Sequence, residues 1–208
     1  MNRLHLVLAL TVVALVTLAP TASRAIDVQS LSQQAQQAAS AGKTARALGL
    51  YELALSQAAT QPESVFGPLI GQYWQLIGRT GDTPRAFDFF TALESQQKKP
   101  SATLLASQAN ATGSYIGWLY KNNLAENLPP ATVKQLDSNA RQNYARALAL
   151  DPDNFSALYG YAIYESYSPN GKAHMQELLT KLNSLRSSHP QYPWQLVDYL
   201  EQHGHPQY

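Results

Sequence analysis

The chain has 208 residues, with 15 Lys and Arg against 14 Asp and Glu and no Cys. The missing cysteines exclude a disulfide framework, a thiolate zinc site and lipidation of an N-terminal cysteine, so the fold has to rest on its own hydrophobic core. The near-neutral balance argues against a nucleic-acid binder, whose affinity comes from a basic surface.

From Arg3 an apolar block runs from Leu4 to Leu18, interrupted by His5, Thr11 and Thr17, and reaches Pro20 and the small-residue stretch Ser23-Arg24-Ala25. A basic start, an apolar middle and a small-residue end are the parts of a secretory signal peptide, which predicts cleavage after Ala25. The block is shorter than the roughly 20 apolar residues a span requires, and a polar, alanine-rich segment follows it. Residues 1–25 are therefore read as a leader and residues 26–208 as one exported domain, periplasmic or secreted, with no stable membrane insertion after cleavage. Losing Arg3 and Arg24 leaves 13 basic against 14 acidic residues. About 180 residues suffice for one core.

Beyond the leader, Leu31, Ala35 and Ala38 form an apolar stripe of helical period ahead of Gly42. After that glycine come Ala47, Leu50, Tyr51 and Ala54, spaced i, i+3, i+4 and i+7 on one face of a second helix. The pattern returns 39 positions later: Tyr73, Trp74 and Ile77 precede Gly81, and Ala86, Phe89, Phe90 and Leu93 follow it. Each glycine closes one helix, the small residue lets two helices approach, and the aromatic fills the space beside it. Lys98-Lys99 before Pro100 reads as a solvated loop.

The stretch from Ser101 to Tyr120 predicts a long helix with Leu105, Ala109, Thr112, Ile116 and Leu119 on one side, and Asn122 to Pro130 a loop, because Asn-Asn and Pro-Pro interrupt regular structure. A helix opening at Ala131 or Thr132 carries Ala140, Tyr144 and Ala147, now 54 positions beyond Ala86, so this unit holds an insertion or a lengthened first helix. It stops at Asp151-Pro152, and Asp153 or Asn154 caps the next helix. Leu158, Tyr161, Ala162 and Glu165 line that helix, Pro169-Asn170-Gly171 turns the chain, and Met175, Leu178, Leu179, Leu182 and Leu185 supply the following apolar face. His189-Pro190 ends it. Pro193, Trp194, Leu196, Val197, Tyr199 and Leu200 form a short closing helix.

Chemistry is sparsely signalled. The chain has no Gly-x-Ser-x-Gly, no phosphate-cradling glycine loop, no His-Glu-x-x-His and no Cys nucleophile. No metal and no cofactor is expected, and no catalytic residue is assigned. Asp151 and Asp153 read as terminator and cap. His-Pro-Gln-Tyr occurs at His189 to Tyr192 and at His205 to Tyr208, which reads as two chain-terminating turns. Asn110-Ala111-Thr112 and Asn154-Phe155-Ser156 fit the glycosylation sequon.

The run through Ala140, Tyr144, Ala147, Leu148, Leu150, Asp151, Pro152, Asn154, Leu158, Tyr161 and Ala162 resembles the tetratricopeptide repeat family. The unit spacings depart from the family's 34 residues, and Gln34 and Gly67 stand where regular repeats are apolar. The resemblance implies an all-α fold, a right-handed α-solenoid of about four antiparallel helical hairpins with a C-terminal capping helix. It further implies that first helices line a concave groove for a partner protein or peptide. On that reading Gln36, Gln75, Tyr115, Trp118, Tyr159, Ile163 and Tyr167 are the candidate groove residues, the last three falling four apart on a face separate from Leu158, Tyr161 and Ala162. The competing reading of Tyr115, Trp118 and Tyr167 is packing between repeats. A function of a different class, a small-molecule- or glycan-binding or carbohydrate-processing helical protein, would be favoured by two facing acids such as Glu165 and Glu126.

Overall fold

The computed structural model describes residues 27–204. The expected leader at residues 1–25 and the second His-Pro-Gln-Tyr copy lie outside these residues. Among the described residues the chain forms nine α-helices, one 3-10 turn and no strand. The helices are α1 (Val28–Ser40), α2 (Thr44–Ala58), α3 (Glu63–Thr80), α4 (Thr83–Gln96), α5 (Ala102–Lys121), α6 (Pro130–Leu150), α7 (Phe155–Ser166), α8 (Lys172–Ser184) and α9 (Trp194–His203), with the 3-10 turn at Ala125–Asn127. No described helix is long and apolar enough to cross a membrane.

Local chemistry sets the boundaries. Gly42 and Gly81 adopt φ of 71° and 69°, the left-handed conformation that glycine takes without a Cβ penalty, and the Gly81 N–H donates to the Ile77 carbonyl at 2.8 Å. Ser101 caps α5 by accepting the Leu104 N–H at 3.2 Å. Pro130 itself opens α6, one residue before the earliest expected start, because a proline in the first helical position has no N–H to leave unsatisfied. Asn154 caps α7, its Oδ1 accepting the Ala157 N–H at 3.0 Å, while Asp153 pairs with Lys181 at 2.7 Å. The loop expected from Asn122 to Pro130 contains the 3-10 turn. Helix α8 ends at Ser184, five residues before His189, and the segment between is a run of hydrogen-bonded turns.

The small-aromatic-small sets are buried on all three second helices: Ala47, Tyr51 and Ala54 on α2, Ala86, Phe90 and Leu93 on α4, and Ala140, Tyr144 and Ala147 on α6. Leu50 and Phe89 of the same pattern are half-buried. The extra length of the third unit is shared by both partners, since α5 has 20 residues and α6 has 21, against 12 and 13 for α7 and α8.

Helix α5 joins the parts of the molecule. Leu104 and Ala111 belong to a core built with α1 to α4, Ala109 to a core built with α6 to α9, and Leu105 and Ala106 to a third cluster with Ala147 and Ala157. The run Thr103 to Ala109 is buried without interruption, which an amphipathic surface helix would not be. Its polar members are satisfied: Gln108 accepts from Asn143 at 2.6 Å and donates to Thr112 at 3.0 Å, and Thr103 accepts from Asn154 at 3.1 Å.

Contacts follow a regular order. Helices α1, α2, α4, α5 and α7 each pack broadly on the helix after them, α5 also packs on α7, α6 meets α7 less extensively, and the contacts of α3 with α4 and α5 and of α8 with α9 are slight. The Ser32 hydroxyl of α1 donates to Gln72 of α3 at 3.0 Å. At the α5–α7 crossing a Cβ added to Gly160 would fall 3.0 Å from Asn110 Cγ, and one added to Gly113 would fall 2.8 Å from the Tyr164 ring, so the two glycines permit the approach.

Candidate functional site

Charged side chains join α2 to α4 and α4 to α6. Glu52 of α2 accepts from Arg85 of α4 at 2.7 and 2.9 Å and from the Tyr73 hydroxyl at 3.0 Å. Glu94 of α4 pairs with Arg146 of α6 at 3.2 Å. Burial and the adjoining Glu52 carboxylate push the Tyr73 phenol well above its ordinary range, so it stays a donor.

A second polar cluster ties α6, α7 and α8. Glu165, whose side chain is 3% exposed, pairs with Arg141 and with His174 Nδ1 at 3.3 Å. Arg141 also donates to Asp137 at 3.2 Å and to Ser168 at 2.6 Å, and lies over the Tyr164 ring. The Tyr164 hydroxyl donates to Asp137 at 2.6 Å; burial, followed by that hydrogen bond, raises its pKa. Tyr161 is raised by burial and then by the Glu165 charge. Sequence pattern does not bring this cluster together, because Asp137 and Arg141 of α6 are 24 to 27 residues from the partners they bond, Glu165, Ser168 and Tyr164. The available signal was Glu165 itself, a carboxylate on an otherwise apolar stripe, which needs a cationic partner once buried.

The groove candidates fall into three environments. Gln36 is exposed on α1 beside Gln33, Gln37 and Ser40. Gln75 is exposed on α3, between exposed Gly71 and Gly78. Tyr115 and Trp118 are half-buried on α5 in a row of near-parallel rings: Phe87 of α4 stacks on Tyr115 at 4.4 Å and Tyr115 on Trp118 at 5.9 Å. Phe87 had escaped the sequence reading because it sits one residue off the α4 stripe.

On α7, Tyr159 stacks on Phe155 at 5.5 Å and its hydroxyl lies 3.5 Å from the Leu196 carbonyl of α9. Ile163 packs against the core formed with α8 and α9. Tyr167 is 57% exposed at the end of α7. The short closing helix thus meets α7 through Tyr159, Phe155 and Trp194.

Glu126 is exposed on the 3-10 turn, whereas Glu165 is buried and ion-paired. The groups in the two ion-pair clusters hold helices together, and the exposed candidates present amides and rings suited to hydrogen bonding and stacking. No group of three or more His, Asp or Glu among the described residues stands in position to hold a metal. Both sequon asparagines are internally engaged: Asn110 accepts the Tyr144 hydroxyl at 2.7 Å, and Asn154 is the α7 cap. The chain matches no family model, no curated protein and no solved structure.

Proposed function

We propose that the chain is an exported, non-catalytic scaffold of the tetratricopeptide-like kind that holds a partner protein in the cell envelope or its secretion machinery. On this reading α1–α2, α3–α4, α5–α6 and α7–α8 are the hairpins of a right-handed solenoid, α9 is its cap, and the exposed side of α1, α3 and α5 is the partner face. The observation that carries it is the contact order: first helices touch first helices at Ser32–Gln72 and Asn110–Gly160, while second helices are bridged at Glu52–Arg85 and Glu94–Arg146. Hairpins that stack in register produce such a pattern. The leader supports export to the periplasm or beyond, and N-terminal sequencing of the exported form should read from Ile26.

The runner-up, a glycan- or small-molecule-binding protein, draws on the ring row Phe87–Tyr115–Trp118, since stacked aromatics suit flat apolar ligands. The test is retention from an envelope extract by the immobilised protein from Ile26 onward, beside a Gln75→Ala/Trp118→Ala variant whose fold is checked by circular dichroism. A protein retained by the parent and lost by the variant supports the scaffold. Retention of nothing, or equal retention by both, removes it.

A further inference from the structure

Charge is divided unequally between the two sets of helices. The first helices α1, α3, α5 and α7 and the second helices α2, α4, α6 and α8 each total 63 residues, yet the first set carries four Lys, Arg, Asp or Glu and the second twelve. Of the four, Glu63 opens α3, Arg79 and Lys121 stand in last turns, and Glu165 is buried and paired. Helix α1 has none at all, although six of its 13 residues are exposed. The middle of the first-helix face therefore offers Gln33, Gln36, Gln75, Ser114, Gly117 and half-buried Trp118.

A solvated surface ordinarily mixes both signs of charge over about a quarter or more of its residues. Depletion of charge with retention of aromatics is instead the compositional mark of the centre of an interface. Overall composition is not the cause, because the adjoining second helices are charged at three times the density; burial of α5 and α7 accounts for part of the contrast, but α1 and α3 are exposed along one side and, among the described side chains, present only Arg79 there as a charge. A neutral face also selects its occupant, since a charge brought onto it would lose water without gaining a counter-charge.

We propose that this face recognises an uncharged, amide- and hydroxyl-rich extended segment of another protein. The inference rests on the partner-face reading above and names the chemistry of its occupant. A random peptide library displayed on phage, selected on the protein from Ile26 onward, tests it. The expected binders are depleted in Asp, Glu, Lys and Arg roughly fivefold or more relative to the input. Synthesised and labelled, they should keep their affinity within about twofold from about 0.05 to about 0.5 M NaCl. They should also weaken roughly tenfold on Gln75→Glu/Ser114→Glu, two exposed positions where new charge leaves the core untouched.

Binders enriched in one sign of charge and sensitive to that variant would overturn the neutral occupant and leave the partner face standing. Binders indifferent to the variant would overturn both. Failure of every peptide alongside tryptophan-fluorescence binding of chitohexaose or maltohexaose would make the occupant a glycan, and failure of all probes would likewise overturn the proposal.

Discussion

Gly160→Ala should destabilise the protein although it replaces a helix-interior glycine with the best helix former. Helix propensity alone would favour the change by about 1 kcal/mol. The new methyl, however, would lie against Asn110 Oδ1 and 3.0 Å from its Cγ. That same oxygen accepts the hydroxyl of Tyr144, a residue 1% exposed, at 2.7 Å. Either α5 and α7 separate, an overpacking cost of about 1–3 kcal/mol, or Asn110 turns away and its buried hydrogen bond with the Tyr144 hydroxyl is lost, costing about 1–3 kcal/mol. Set against the propensity gain, the net loss is about 1 kcal/mol. In a chain of this size that lowers Tm by roughly 2–4 °C, readable by circular dichroism. Gly78→Ala is the matched control: it is exposed on α3 with nothing within 4 Å of the added methyl, so it should gain about 0.5–1 kcal/mol. Stabilisation by both substitutions would refute the close α5–α7 crossing.

Other outcomes follow from the same contacts. Tyr144→Ala should cost about 3–5 kcal/mol in urea unfolding, as aromatic truncations in cores do, while Lys98→Ala should be near neutral. Arg141→Met should cost about 3–5 kcal/mol at neutral pH by leaving Glu165 buried without its cation, and Arg141→Met/Glu165→Met should recover most of that loss. Alkaline pH should unfold the protein. Tyr73 and Tyr164 are raised by burial and by carboxylate partners, so their contribution is complete below the unfolded value of about 10 and is lost as pH climbs from there toward the higher folded values. Phenolate absorbance should therefore show Tyr73 and Tyr164 among the tyrosines that ionise only with unfolding. Titration of every tyrosine in the folded state at its ordinary value would contradict the buried Glu52 and Asp137 partnerships.

Much of the helical plan was legible in the residues because its causes are local. Period and spacing placed Ala47, Tyr51 and Ala54 on one face whatever the rest of the chain did. Gly42 and Gly81 end helices at no cost because glycine takes positive φ freely, and Asp151-Pro152 favours the end of α6 because proline disfavours a helical residue before it. The Ala86 to Ala140 excess announced a longer third unit. Local pattern could not divide that length between α5 and α6, or choose Asn154 over Asp153 as a cap when Lys181 competed for the aspartate.

The candidate site was less legible, since exposure belongs to neighbours far away in sequence. Tyr159 and Ile163 share the helical spacing of an exposed stripe, but α9 returns against α7 and draws Tyr159 toward Leu196. Tyr115 and Trp118 are neighbours three residues apart with no special pattern until α4 brings Phe87 against Tyr115. Residue pattern alone is enough for the helices, for most of their ends and for the scarcity of charge on every first helix, because each is a property of a short segment. Only the tertiary structure decided which charges meet, Glu52 with Arg85 and Arg141 with Glu165, and hence which faces are tied and which remain open, because those pairings are made between segments whose approach depends on the packing of the whole chain.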